Sequence, residues 1–287
     1  MKKSALGLSL LVMLSGCGSA SSGVVGELAG TIAGSLAQVN PYRNWTLDHD
    51  VLAATAQAVR LSVGNGAAQS VLREAATQYV GYSGSCPGGG SVSIAQEGTK
   101  PHYVFSTCVP ALVPGLVLTG GVESAGAVRT DQPLSMGGSL LNDTVRISVS
   151  EGLLRGSSSG SANLGSSVQK ARFAIGARVM TVDELHFDAN FQADRQGQFT
   201  SGGMNGSFSV EGTHYLVITK TRMDWAAQGP VAGRFEVLVT KAGETIRHDF
   251  EFTGNGEIIS YHPGTREAHR TTWSSAEMKA AMAKYAG

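Results

Sequence analysis

The chain has 287 residues, enough for one large domain or two small ones, and a domain of that size buries roughly 70–75% of its unfolded surface. Its 22 basic and 22 acidic residues balance, which argues against a nucleic-acid partner and against a polybasic membrane patch. Charged residues are only 15% and glycines number 38, which suits many strands and tight turns, while the 42% hydrophobic fraction excludes a disordered chain.

Lys2 and Lys3 precede an apolar run over residues 5–14, and small residues follow, the layout of a bacterial export signal. The run is shorter than the about 20 apolar residues a membrane-spanning helix needs. It ends in Leu14-Ser15-Gly16-Cys17, which resembles the lipobox of bacterial lipoproteins. The resemblance implies cleavage before Cys17 and acylation of the Cys17 thiol and the new amino terminus. Gly18, where an aspartate would retain the protein, implies sorting to the outer membrane. The plainer alternative is an ordinary signal peptide with a stray cysteine. Without Lys2 and Lys3 the chain keeps 20 basic against 22 acidic residues.

The organisation read from the sequence is a signal peptide over 1–16, a lipidated tether over 17–40 and a single β-rich domain over 41–287. Residues 18–23, Gly-Ser-Ala-Ser-Ser-Gly, have the composition of a flexible spacer. Gly26, Gly30 and Gly34 then recur every four residues. They read either as a small-residue linker or as a short helix packing near the anchor.

With Cys17 assigned to the lipid, Cys86 and Cys108 form an even pair in an oxidising compartment, and a disulfide is expected. On the loop-entropy account such a bridge stabilises by about 3 kcal/mol. A metal site is a poorer reading, because only His102 lies between the two cysteines.

Residues 46–80 have helical spacing, with Leu52, Ala56, Val59 and Val63 on one face and Ala68, Leu72, Ala75 and Tyr79 on another. Asp48 is the expected N-cap. Gly64-Asn65-Gly66 is the expected break, giving two helices in an antiparallel hairpin. From residue 81 the apolar residues alternate. Strands are expected at 91–95, 102–108 and 115–123, with the disulfide tying the start of the first to the end of the second. Cys86-Pro87-Gly88-Gly89-Gly90, Tyr103-Val104-Phe105-Ser106-Thr107-Cys108 and Gly120-Gly121 together resemble a pattern of β-rich exported bacterial lipoproteins of unknown function. That resemblance implies a bridged hairpin and no activity. Pro87 and the apolar stretch 109–113 depart from it.

Residues 124–170 are less regular, with a clean alternation at 144–149 and a low-complexity loop at 156–161. The clearest strand is 182–193. Leu185, Phe187, Ala189 and Phe191 face one way, and Glu184, His186, Asp188, Asn190 and Gln192 the other. Asn205-Gly206 and Asn255-Gly256 are expected hairpin turns. Strands are expected at 207–210, 214–223, 233–241, 245–253 and 258–262. The last element is a helix over 274–286. Ser274-Ser275-Ala276-Glu277 is read as its capping box, Trp273 and Met278 as a staple, and Met278, Ala281, Met282 and Tyr285 as its packed stripe. The expected fold is mainly β: a large curved antiparallel meander sheet or partly open barrel, with the helical hairpin and the C-terminal helix packed on it.

Candidate chemistry is sparse. Gly156-Ser157-Ser158-Ser159-Gly160 matches the nucleophile-elbow spacing, which requires a strand before it and a helix after it; the Ser/Gly-rich residues that follow do not start a helix. Glu184, His186 and Asp188 share one strand face but sit about 7 Å apart, too wide to bind one ion unaided. No metal or cofactor is expected.

Three functional readings follow. The first is a non-enzymatic lipid-anchored envelope protein whose curled sheet holds an acyl chain or another apolar ligand. The second is a structural or adhesive surface protein with no small ligand. The third, the least favoured, is a hydrolase using Ser158. Through Cys17 the implied partner is the membrane; no nucleic acid is expected.

Overall fold

The computed structural model describes residues 46–285 except 98–99, 142, 160–162, 192–198, 227–228 and 262–267. The expected signal peptide and tether, with Cys17 and the glycine repeat at 26–34, lie outside these residues.

A 30-residue helix, α1 (Thr46–Ala75), comes first. Fourteen strands follow. The opening five are β1 (Ser83–Ser85), β2 (Ser91–Glu97), β3 (Lys100–Cys108), β4 (Leu116–Glu123) and β5 (Leu134–Leu140). Six longer ones make the middle: β6 (Asp143–Ser159), β7 (Asn163–Ile175), β8 (Arg178–Phe191), β9 (Phe199–Val210), β10 (Thr213–Ala226) and β11 (Gly229–Lys241). The sheet closes with β12 (Glu244–Phe252), β13 (Glu257–Tyr261) and β14 (Ala268–Thr272), and a short helix, α2 (Ala276–Ala283), ends the domain.

Each strand pairs antiparallel with its sequence neighbour, giving one 14-stranded meander in the order β1 to β14. The first and last strands do not pair, so the sheet is open and is not a barrel. Short turns enforce the meander. Between β9 and β10 the loop is Glu211-Gly212, with φ of 48° and 78°; between β11 and β12 it is Ala242-Gly243, with φ of 51° and 85°. Two consecutive positive φ values give the hairpin turn whose twist matches its strands.

The concave face holds the core. Phe105, Met136, Ile147, Phe173, Phe187 and Phe208 all point into it and are at most 2% exposed. The opposite face is polar over most of the sheet, as Ser135, Thr144, Arg146, Arg172, Thr181 and Asp183 show. A membrane-spanning barrel has the reverse arrangement, apolar outside. At the centres of β10, β11 and β13 both faces are buried, over residues 215–217, 235–238 and 258–260. There Glu236 lies between Lys220 (3.4 Å) and Arg247 (2.8 Å), on the same face as the buried cross-strand pair Leu216 and Leu238.

The expected helical hairpin is overturned: α1 runs unbroken through Gly64-Asn65-Gly66. All residues from 51 to 68 are buried, so five turns of helix are enclosed on every side. Asp48 near its start meets β12 and β13, whereas residues 64–69 meet β5, β6 and β7, so α1 crosses the apolar face of the sheet from its late strands to its middle ones. The two glycines set its distance from the sheet. A Cβ on Gly66 would lie 2.1 Å from Leu164 Cδ2, and one on Gly64 2.6 Å from Met136 Sδ. Asn65 completes the contact: its side-chain amide donates to Arg155 O (3.0 Å) and Ser166 Oγ (2.8 Å), while Gln69 donates to Leu154 O (3.0 Å).

Three further expectations are corrected. The stretch at 156–159 is not a loop but the end of the 17-residue strand β6. Asn205-Gly206 is not a turn but lies inside β9, where Gly206 has φ 133° and its missing Cβ leaves room for Glu184 O, 2.0 Å from where that atom would be. The N-cap of α2 is Ser275, whose Oγ accepts from Met278 N at 3.1 Å, one residue later than the capping box implied. Trp273 therefore does not staple the helix; it stacks on Phe252 and donates to Pro230 O.

Candidate functional site

Cys86 and Cys108 form the expected disulfide, with Cα atoms 5.4 Å apart and both residues buried. It joins the turn before β2 to the end of β3. Around it the ladder continues through Gly88 N to Val109 O (3.0 Å) and Val109 N to Gly89 O (2.9 Å), which places Pro87 outside the pairing. A buried bridge between paired strands is structural.

The polar face of β8 is occupied by its neighbours. Glu184 Oε1 accepts from Gln169 Nε2 (2.7 Å) and bonds His186 Nε2 (2.9 Å). Asp188 pairs with Arg222, which also donates to Ser201 Oγ (2.7 Å). Among the described residues no group of three or more His, Cys, Asp or Glu is arranged to hold a metal ion. Ser158 pairs with Leu164 across the β6–β7 hairpin, so the strand that carries it is followed by another strand and the elbow context is missing.

Sequence reading did not find a further polar constellation among the described residues. It sits where the first turn of α1 meets the last strands. Three consecutive residues of α1 each grip a different element. Asp48 Oδ1 accepts from His248 Nδ1 on β12, and its Oδ2 from Ser260 Oγ on β13, both at 2.6 Å. His49 Nε2 bonds Thr271 Oγ1 on β14 at 3.2 Å, and its ring meets His269 edge-on at 5.6 Å between centroids. Asp50 pairs with Lys284 just beyond α2 at 2.5 Å. A hollow of about 550 Å³ opens beside them, lined by His49, His269, Thr271, Ser275, Glu277 and Lys284 among others.

The chemistry follows from the geometry. Asp, His and Ser are the residues of a hydrolytic triad, but here the order is wrong. The carboxylate is the hub, and the serine hydroxyl bonds to it and not to the imidazole, so the imidazole is not placed to take the serine proton. Asp48, His248 and Ser260 are also at most 1% exposed. A carboxylate is acceptor-only, so His248 donates through Nδ1. The first turn of a helix is a favourable place for the Asp48 charge. The group is therefore a buried knot that fixes α1 to β12 and β13.

His49 is held below its ordinary value of 6.5, first by burial and second by repulsion from His269, against the opposing pull of Asp48, Glu277 and Asp50. Burial pushes the Tyr285 hydroxyl up to about 12, although Arg178, stacked over its ring at 5.0 Å, works the other way. Tyr215 is raised further, again chiefly by burial. Neither phenol ionises at ordinary pH, so both serve as packing groups here.

The signal that could have pointed here is the run Asp48-His49-Asp50 at the head of an alanine-rich helix. Its partners lie more than 190 residues away in the chain. No protein family, curated protein or solved structure matches the chain.

Proposed function

We propose that this chain is a lipid-anchored protein of the bacterial envelope, held in the outer membrane by acylated Cys17, and that its domain acts through its surface without catalysis. The lipobox-like Leu14-Ser15-Gly16-Cys17 supports the anchor. The Cys86–Cys108 bridge supports an oxidising compartment. The observation that carries the choice between readings is the trough of the sheet. A carrier of acyl chains needs that concave space for its ligand, and here α1 occupies it with residues 51–68 buried. This favours a structural or adhesive surface protein over a carrier of an apolar ligand.

The test has two arms. A thioether requires the Cys17 thiol, so the wild-type protein should fractionate with outer membranes and Cys17→Ser should not. Stable anchoring takes at least two hydrophobic signals, and acylation at both the thiol and the amino terminus supplies them. Wild-type protein found soluble in the periplasm would refute the anchor. An apolar fluorescent dye should show no saturable binding to the domain; saturable binding displaced by fatty acid would restore the carrier reading.

A further inference from the structure

We propose that the carboxyl-terminal end of the sheet is an acid-released clasp, in which proton uptake by His49, held edge-on to His269, loosens β14 and α2 from the first turn of α1.

The placement of the pair is the first ground. His49 is 8% exposed and sits on α1, while His269 sits on β14, so the two rings belong to different elements and separate when those elements part. Imidazole is the side chain whose ordinary value lies between pH 5 and 8. Two rings in edge contact attract weakly, whereas a proton on His49 places a charge among packed groups, a desolvation cost that is relieved when the elements part.

Three carboxylates, Asp48, Glu277 and Asp50, favour a charge on His49, but burial and His269 outweigh them. From α1, Asp48 is already engaged by His248 and Ser260, and Asp50 by Lys284. From β14, Arg270 adds a positive charge, itself paired at 2.5 Å with Glu257 of β13. From α2 and just beyond it come Glu277 and Lys284, which both line the hollow.

The sign of the effect is fixed by the direction of the His49 shift. A histidine held below its unfolded value binds fewer protons when folded. Closure is then fully favoured above about 6.5 and weakens as the pH falls below it.

The element held by the clasp is a weak one. β14 has five residues and one strand neighbour, and α2 has eight residues. What they cover is useful to a surface protein. α2 hides Met278, Ala281 and Tyr285, each at most 5% exposed, and β14 covers the edge of β13. Release would present an apolar stripe and an open strand edge, both of which bind other chains.

Hydrogen–deuterium exchange on the full-length protein in detergent tests this at pH 7.5 and 5.5, with rates corrected for the intrinsic pH dependence of exchange. Amides of 268–285 should exchange several-fold faster at pH 5.5, up to about tenfold, while those of β7 and β8 should not change. His49→Gln with His269→Gln should abolish the difference. His186→Gln with His214→Gln, on the convex face, should leave it as in the wild type. No acceleration in the wild type, or an acceleration that survives the His49/His269 pair of substitutions, overturns the proposal. Should that double variant fail to fold, imidazole carbon-bound proton shifts of the wild type decide. His49 must titrate below 6.5, with β14 resonances shifting at the same midpoint; a midpoint at or above 6.5 overturns it.

Discussion

Phe187 and His186 are adjacent in β8 and face opposite media: Phe187 is 2% exposed in the core, whereas His186 lies half-buried on the polar face against Glu184. Truncating Phe187 to alanine removes a ring from a packed core, so Phe187→Ala should cost about 3–5 kcal/mol. His186→Ala removes only a solvent-facing contact and should stay within about 0.5 kcal/mol. Denaturant melts of the two variants check the contrast, and equal losses would mean that the polar face is packed as well. The alternation that predicts this is visible in the sequence because each side chain in a strand answers to its own face. Phe191, expected on the same inner face, lies where no side chain is described.

Helix α1 shows an element overriding its local signals. A glycine in a helix costs about 1 kcal/mol relative to alanine, so Gly64 and Gly66 together weaken it by about 2 kcal/mol. Enclosing Leu61, Val63, Val71 and Leu72 on either side of them returns about 1.5–3 kcal/mol per side chain. The two glycines should respond differently to alanine. Gly66→Ala meets the branched end of Leu164, itself buried, and should destabilise by about 1–3 kcal/mol despite the gain in helix propensity. Gly64→Ala meets only the flexible Met136 sulfur and should be near neutral. If the chain turned at these glycines with positive φ, both substitutions would be costly, and thermal melts of the pair would show it.

At the scale of the whole molecule, the open meander has no β1–β14 pairing to hold its two edges. One of those edges is fixed by the polar knot at the head of α1. Asp48→Ala would leave His248 and Ser260 buried without their shared acceptor, at a cost of about 2–5 kcal/mol. Asp50→Ala breaks only the exposed pair with Lys284 and should cost less than about 1 kcal/mol. Equilibrium unfolding of both variants checks the ranking, and a mild Asp48→Ala would mean that the knot does not hold the sheet to the helix.

By itself the sequence determined what is local. The alternation over 184–190, the Asn255-Gly256 turn, the strands from 91 to 123, the cysteine pairing and the stripe on α2 all follow from periods and turn chemistry within a few residues. Each has its counterpart in the structure. The tertiary structure alone decided the rest. Gly64-Asn65-Gly66 and Asn205-Gly206 carry turn residues yet lie inside a helix and a strand, because a neighbouring element passes where a Cβ would be. The site at Asp48, His49 and Asp50 exists only once β12, β13, β14 and α2 arrive at the head of α1. Its hydrogen bonds join residues 200 to 234 positions apart, a distance over which no periodicity or motif spacing carries information.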